Sequence, residues 1–354
     1  MSTPRRSLSF SLAAALAAGL LAPWPAAEAC TRVVYNGPNG TVLTGRSMDF
    51  AMEIPANLWV FPRGMDRDGA VGPDPLRWTS RYGSVIASSW DIATSDGMNE
   101  KGLVANLLWL VSSEYPPFEI GGDTPGLSVS VWAQYALDNF ATVAEAVEAF
   151  RREDFVVVTD FIPRTDKYTT VHLSLSDAGG DNAIFEYVGG RLVIHHDRKH
   201  RVMTNDPVFE QQLAIARYWD RIPGQDFLPG TNHSSDRFVR ARYYIDRVTQ
   251  SDDPRIAAAA VFSVVRNVSV PYGIAIPGFP NLSTTRWRTV ADQKNRRYYF
   301  ETATTPNTFW VDFDALDFSP GAPVRRLRAD VNQTYSGETS SRFETARPFA
   351  FQGL

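Results

Sequence analysis

The sequence predicts an α+β chain built in layers, with two sheets packed face to face between helices. Strand-like segments of period-two, β-branched and aromatic residues come first, helical segments gather in the middle, and strand-like segments return near the end. Hydrophobic residues fill 44% of 354 positions, with 9 Trp, 13 Tyr and 21 Phe, which suits one large core and excludes a disordered chain. No internal repeat and no long linker interrupts residues 30–354, which read as a single domain.

The first 29 residues read as a secretion signal. Arg5 and Arg6 form a basic start, and 8–21 is an apolar, small-residue stretch too short to cross ~30 Å of hydrocarbon as a helix. Pro23 and Pro25 break it, and Ala27-Glu28-Ala29 has the small-x-small form of a cleavage site. Cutting after Ala29 makes Cys30 the first residue of the mature chain. No later segment has the ~18 unbroken apolar residues of a membrane span. The expectation is therefore a periplasmic or secreted protein without stable membrane insertion.

The remaining elements follow in order. Residues 31–35 alternate, Asn36-Gly37-Pro38-Asn39-Gly40 is a strong turn, and 41–45 returns to Arg46-Ser47-Met48-Asp49-Phe50 as the second arm of a hairpin. Gly/Asp/Pro-rich 64–75 predicts a mobile loop over the site, as does 112–125. Strands are expected at 84–90 and 103–109, linked through Asp96-Gly97 and Asn99. A helix covers 128–139, and another runs from Thr142 to 149, opened by a capping box with Glu145. Strands recur at 155–158, 171–175, 183–188 and 192–195. Helices follow at 207–219, 236–248 and 254–265. In the second, Phe238, Ala241, Ile245 and Val248 share one face. Asp206-Pro207 reads as an N-cap with Pro at the first helical position, which puts Asn205 just ahead of a helix. Strands return at 286–290, 297–302 and 308–313, and the polar, turn-rich tail from about 329 to 354 is expected to wrap the surface or be disordered.

One cysteine excludes an intrachain disulfide and Cys-rich metal or iron–sulfur sites. A net charge of −4 argues against a nucleic-acid-binding surface. The run His195-His196-Asp197-Arg198-Lys199-His200 matches no zinc spacing and reads as a solvated turn. Everything then depends on Cys30. A mature N-terminal Cys carries a strong nucleophile and, on the same residue, a free amine of reference pKa ~7.7–8.0 that can act as a base. No separate His is needed. The hairpin return brings Arg46 and Asp49 back toward it. A guanidinium beside a thiol favours thiolate, and a carboxylate can hold a protonated amine. The plainer alternative for these two is an ion pair with each other at the turn.

Cys30-Thr31 with Gly45-Arg46-Ser47-Met48-Asp49 resembles the start of the choloylglycine hydrolase family. That family includes bile salt hydrolases and penicillin V acylases and lies within the N-terminal nucleophile hydrolases. Asp96-Gly97-Met98-Asn99-Glu100-Lys101-Gly102-Leu103 and Thr204-Asn205-Asp206-Pro207 resemble further blocks of it. So do Ser235-Asp236-Arg237-Phe238, with one extra residue between Ser and Arg, and the stretch from Thr285-Arg286-Trp287 to Tyr298-Tyr299-Phe300. The blocks occur in family order across nearly all of the mature chain. The resemblance implies the four-layer αββα sandwich of N-terminal nucleophile hydrolases and cleavage of linear, non-peptide C–N amide bonds. It calls for no metal or organic cofactor.

By resemblance, Cys30 is the nucleophile and its amine the base and then the acid. Asp49 would hold that amine, Arg46 would stabilise the thiolate and help place substrate, Asn205 would donate to the developing oxyanion, and Arg237 would complete the charged network. Donors of this kind are typically worth ~2.7–4 kcal/mol each. Trp109 stands where bile salt hydrolases carry Asn, as in the Gram-negative branch. An indole has no amide carbonyl to accept with, but it can wall an apolar acyl pocket. Phe50, Met52, Trp59, Phe61 and Tyr115 are further candidate wall residues. The expected partner is a small-molecule amide with an apolar acyl group: a phenoxyacetyl amide such as penicillin V, or an acyl homoserine lactone, with conjugated bile salts as the alternative. The stretch between Asn205 and Arg237 is shorter than in Gram-positive members, where an extra loop supports tetramers; a homo-oligomer stays open and the family tetramer is in doubt. A rival of another class is a lipid-anchored binding protein attached through Cys30.

Overall fold

The computed structural model describes residues 30–275, 283–305, 307–329 and 332–354, so the expected signal segment lies outside the described residues. Thr31–Asn36 and Val42–Phe50 pair antiparallel, with Thr31 opposite Ser47 and Arg32 opposite Arg46. They lie inside a seven-stranded sheet in the order Val202–Met203, Thr31–Asn36, Val42–Phe50, Thr284–Asp292, Arg297–Thr302, Phe309–Asp312, Gly337–Glu338. The second sheet has nine strands: Arg191–His196, Asn182–Val188, Val171–Ser176, Val104–Trp109, Ala93–Asn99, Ser84–Ser89, Asn57–Phe61, Arg325–Arg328, Glu344–Thr345. Each sheet joins segments from both ends of the chain.

Helices cover the two outer faces. Helix α1 (Val129–Asn139) and α2 (Val143–Phe150) lie on the nine-stranded sheet, while α3 (Phe209–Trp219), α4 (Ser234–Ile245) and α5 (Pro254–Asn267) form the other outer layer, where α4 and α5 pack on the hairpin. This is the αββα sandwich. Close packing of α5 on the hairpin explains Gly45: a Cβ there would come within 2.5 Å of a Val261 methyl carbon. One apolar core runs between the sheets and under α4 and α5, and a second, rich in aromatics such as Trp132, Phe150 and Phe185, fills the space beneath α1 and α2. Burying side chains of this size contributes roughly 1.5–3 kcal/mol apiece.

The capped helices appear where their signals stand. Thr142 Oγ1 accepts the Glu145 N–H, and Glu145 reaches back to the Ala141 N–H at 2.8 Å. Asp253 caps α5, with Pro254 in its first turn. Two expectations fail. Asp206 is no N-cap: its carboxylate accepts the Val111 and Ser112 N–H groups at 2.7 and 3.0 Å, and α3 begins only at Phe209, whose N–H goes to the buried Glu186 carboxylate. The presumed link through Asp96, Gly97 and Asn99 is instead the strand Ala93–Asn99, paired on both sides. Poor β-formers are held there by side-chain bonds: Asn99 donates to the Leu137 and Phe140 carbonyls at the end of α1 and accepts the Lys101 and Leu103 N–H groups. The expected solvated His turn holds for the exposed residues 197–199, while His195 belongs to the preceding strand and is tied inward, its Nε2 3.3 Å from Glu186 and its ring packed on Phe209. Among the described residues no helix is long and apolar enough to cross a membrane.

Candidate active site

Cys30 lies buried between the sheets at the head of the hairpin. Its Sγ is 3.7 Å from Arg46 Nη2, and 3.8 Å from both the Met48 sulfur and the Asp49 carbonyl oxygen. Its backbone N–H donates to Asn205 Oδ1 at 2.5 Å, and its carbonyl accepts from Arg237 Nη1 at 2.7 Å. All four polar residues expected around Cys30 therefore touch it directly: Arg46, Asn205 and Arg237 through side chains, Asp49 through its backbone.

Side-chain alternation along Val42–Phe50 separates Arg46 from Asp49. Arg46 points into the gap between the sheets, where it donates to the Leu107 carbonyl at 2.9 Å, lies over the Trp287 ring at 4.5 Å and has Nη1 3.8 Å from Asp96. Asp49 points to the other face, held by Ser47 at 3.0 Å and by Thr285. The turn-flanking ion pair is thus not formed; the partner of Arg46 is Asp96, which is itself held by Tyr298, Asn106 and Thr289. The Cys30 N–H is taken by Asn205 rather than by the Asp49 carboxylate.

The orientation of Asn205 is set by donors. Arg237 can only donate, so the atom it meets at 3.0 Å is the amide oxygen. Nδ2 then faces Trp109, donating to its carbonyl at 2.8 Å, and keeps a second hydrogen. Arg237, in α4, is fully buried; it also bonds Thr31 and the Asn232 carbonyl. Burial pushes the Cys30 thiol up, opposed first by the Arg46 charge. Burial also pushes the Asp49 carboxyl up to about 6, with Arg237 pulling the other way.

An open cavity of about 770 Å³, solvent at its mouth included, reaches Cys30. Its walls are mostly apolar: Met48, Phe50, Ile54, Trp90, Ile92, Leu107, Trp109, Val129, Ile162 and Val171.

The family model described as "Linear amide C-N hydrolases, choloylglycine hydrolase family" matches residues 30–332. The chain belongs to this family. It is 48% identical over 348 residues to a penicillin V acylase of Pectobacterium atrosepticum, covering 92% of this chain and 93% of that protein. It is 25% identical over 300 residues to a bile salt hydrolase/transferase of Clostridium perfringens, covering 77% and 89%. Its fold superposes on the structure of a penicillin V acylase from Agrobacterium tumefaciens with a TM-score of 0.86 at 53% identity, over 92% of this chain and all of the other. The conjugated bile acid hydrolase of Clostridium perfringens shares the fold at a TM-score of 0.73 and 20% identity, over 87% and 98% of the chains.

In this chain, Phe50 and Trp109 stand on the cavity wall, their rings edge to face at 6.3 Å. The other wall candidates do not. Met52 is exposed just beyond the strand end. Trp59 and Phe61 belong to the outer core, where Trp59 packs on Phe349. Tyr115 turns its hydroxyl to the Val171 backbone and its ring to Tyr187. The aromatic character of Trp59, Phe61 and Tyr115 suited a pocket, but these three serve the face of the nine-stranded sheet turned away from Cys30. The loops 64–75 and 112–125 do not line the cavity either; part of the first forms a small hairpin, Asp66–Asp68 with Arg77–Thr79. The walls come from the Trp90 turn, the segment Asp160–Thr169 and Gln352 of the tail. Met48 was within reach of the sequence, since it shares a strand face with Arg46 and Phe50. Trp90, Ile162 and Gln352 had no local signal.

Proposed function

We propose that the mature enzyme cleaves amides that join an apolar, aromatic-bearing acyl group to a polar amine, as in penicillin V, with Cys30 as nucleophile. The observation that carries this is the thiol of Cys30 at the end of an apolar cavity, with Arg46, Asn205 and Arg237 gathered on the same residue. Removal of the residues before Cys30, in keeping with a family match that begins there, exposes an α-amine next to the thiol. That amine takes the Sγ proton as sulfur attacks the carbonyl carbon. The spare Nδ2 hydrogen of Asn205 meets the oxyanion. Asp49 offsets the charge of the ammonium, Arg237 holds Asn205 and the Cys30 carbonyl in place, and Arg46 steadies the thiolate. The ammonium returns its proton to the leaving nitrogen, the C–N bond breaks and an acyl thioester remains. Water, deprotonated by the same amine, attacks the thioester, sulfur leaves, and the free acid forms. The Trp109–Phe50 wall and the relatives at 48% and 53% identity support a penicillin V-type substrate over conjugated bile salts. The same apolar chamber admits the fatty chain of an acyl homoserine lactone as a second substrate. Export through a cleaved signal fits this maturation.

Cys30→Ala is expected to abolish hydrolysis and leave the folded circular dichroism spectrum unchanged. Protein that retains residues ahead of Cys30 is expected to be inactive for want of the free amine. Turnover of penicillin V, long-chain acyl homoserine lactones and glyco- and tauro-conjugated bile salts should be measured side by side, with the Cys30 N-terminus verified by mass. Wild-type rates from either blocked form would overturn the mechanism, and a preference for bile salts would overturn the substrate.

A further inference from the structure

Gln352 lines the same cavity as Cys30, although 322 positions separate them in the sequence. Its hydrogen bonds reach three separate wall segments. The backbone N–H donates to the Ile92 carbonyl at 2.9 Å. The backbone carbonyl accepts from the Ser128 and Ser130 hydroxyls at the start of α1, at 2.7 and 2.5 Å. The side-chain amide donates both hydrogens, to the Asp160 carboxylate at 3.0 Å and the Phe161 carbonyl at 2.7 Å. Ile92, Ser128, Ser130 and Asp160 all line the cavity themselves.

The position of this residue is fixed from both sides. Before it, Phe349 packs on Trp59 at 5.2 Å and Phe351 on Phe349 at 4.9 Å. After it, Gly353 passes so close to Ala70 that a Cβ would fall 1.5 Å from the Ala70 carbonyl oxygen, and the Leu354 carbonyl accepts the Gly72 N–H at 2.9 Å. The two Phe rings already cover the outer core. The polar bonds of Gln352 go instead to the segments that bound the acyl chamber, which contribute no group to the Cys30 network.

We propose that Gln352 determines acyl-group specificity, clamping the Ile92 turn, the start of α1 and the 160–162 segment so that the chamber keeps a fixed width. The inference rests on the amide-hydrolase function above. Loss of the side-chain amide frees the Asp160 segment and widens the chamber without touching the reacting atoms. The change should therefore depend on the acyl group and not on the amine.

The test uses mature protein beginning at Cys30 and four amides of 6-aminopenicillanic acid: phenylacetyl, phenoxyacetyl, hexanoyl and dodecanoyl. In Gln352→Ala the ratio of kcat/KM for dodecanoyl to that for phenoxyacetyl is expected to change about tenfold, the range in which apolar pockets discriminate. The change should fall in KM. Replacing the amine under a constant phenoxyacetyl group should leave the wild-type ratio. Ser130→Ala, which removes one clamp bond and keeps the tail, should move the acyl ratio in the same direction by less, and it serves if Gln352→Ala does not fold. An unchanged acyl ratio in the folded variants, or an equal effect on every amide, overturns the proposal. A parent that turns over none of the four contradicts the substrate assignment instead. In that event the same comparison is read from dissociation constants of the free acids by quenching of Trp90 and Trp109, and an unchanged ratio there also overturns it.

Discussion

Arg46 and Asp49 are three residues apart on one strand, and that odd spacing divides their work. Arg46 faces the thiol between the sheets, while Asp49 faces the helical layer, where Ser47 and Thr285 hold it. Burial lifts the Asp49 carboxyl from 3.8 to about 6, so the folded state prefers it protonated. The sign follows: the stability attached to this group is present below its unfolded value near 4 and is lost as pH rises through about 6. The rise corresponds to about 3 kcal/mol. Asp49→Asn cannot titrate, so its stability relative to the parent should grow by up to that amount between pH 4 and 7.5, read by urea unfolding. Catalysis should show the opposite need. The parent is expected to lose kcat/KM as pH falls through about 6, because charge balance at the amine requires the carboxylate. The Asp49 step should be absent from the residual activity of Asp49→Asn, leaving the acid limb set by protonation of the Cys30 amine. The stability gain and the activity loss would mark Asp49 as a site where function opposes stability.

At the scale of elements, the hairpin and the helices were legible because their signals are local. Asn36-Gly37-Pro38-Asn39-Gly40 marks the turn, and Thr142 with Glu145 opens α2. Ala93–Asn99 was not legible, because its polar residues are sustained by partners far along the chain, such as Tyr298 on Asp96 and the end of α1 on Asn99. Gly45 shows how tightly such elements fit, with Val261 and Val265 of α5 occupying the space of its missing side chain. Gly45→Ala is expected to cost about 1–3 kcal/mol through overpacking. Adding Val261→Ala should recover part of that loss in a double-mutant cycle measured by thermal unfolding. Strict additivity of the two substitutions would show that α5 does not pack there.

At the scale of the molecule, the nine-stranded sheet belongs to both cores. One face packs toward Cys30 and the other lies beneath α1 and α2. Its strands come from positions 57 to 345, and the tail crosses from the outer core to the cavity. Neither core can be opened without exposing this common sheet. Near- and far-ultraviolet circular dichroism are therefore expected to report one coincident unfolding transition, and two separated transitions would mean the cores fold independently.

The sequence by itself determined the layered α+β architecture and singled out Cys30 together with the polar residues that the structure gathers around it. Cys30 precedes a hairpin whose register is fixed by the turn and by alternation, and Arg46, Asn205 and Arg237 stand in recognisable blocks. Only the tertiary structure decided which partner each would take and what would wall the substrate. Asn205 rather than Asp49 meets the Cys30 N–H, Asp96 rather than Asp49 meets Arg46, and Gln352 rather than Trp59, Met52 or Tyr115 stands in the cavity wall. Periodicity says that a side chain is buried and on which face of its own element. It does not say which distant element is packed against that face, because that depends on sheet order and helix placement over the whole chain.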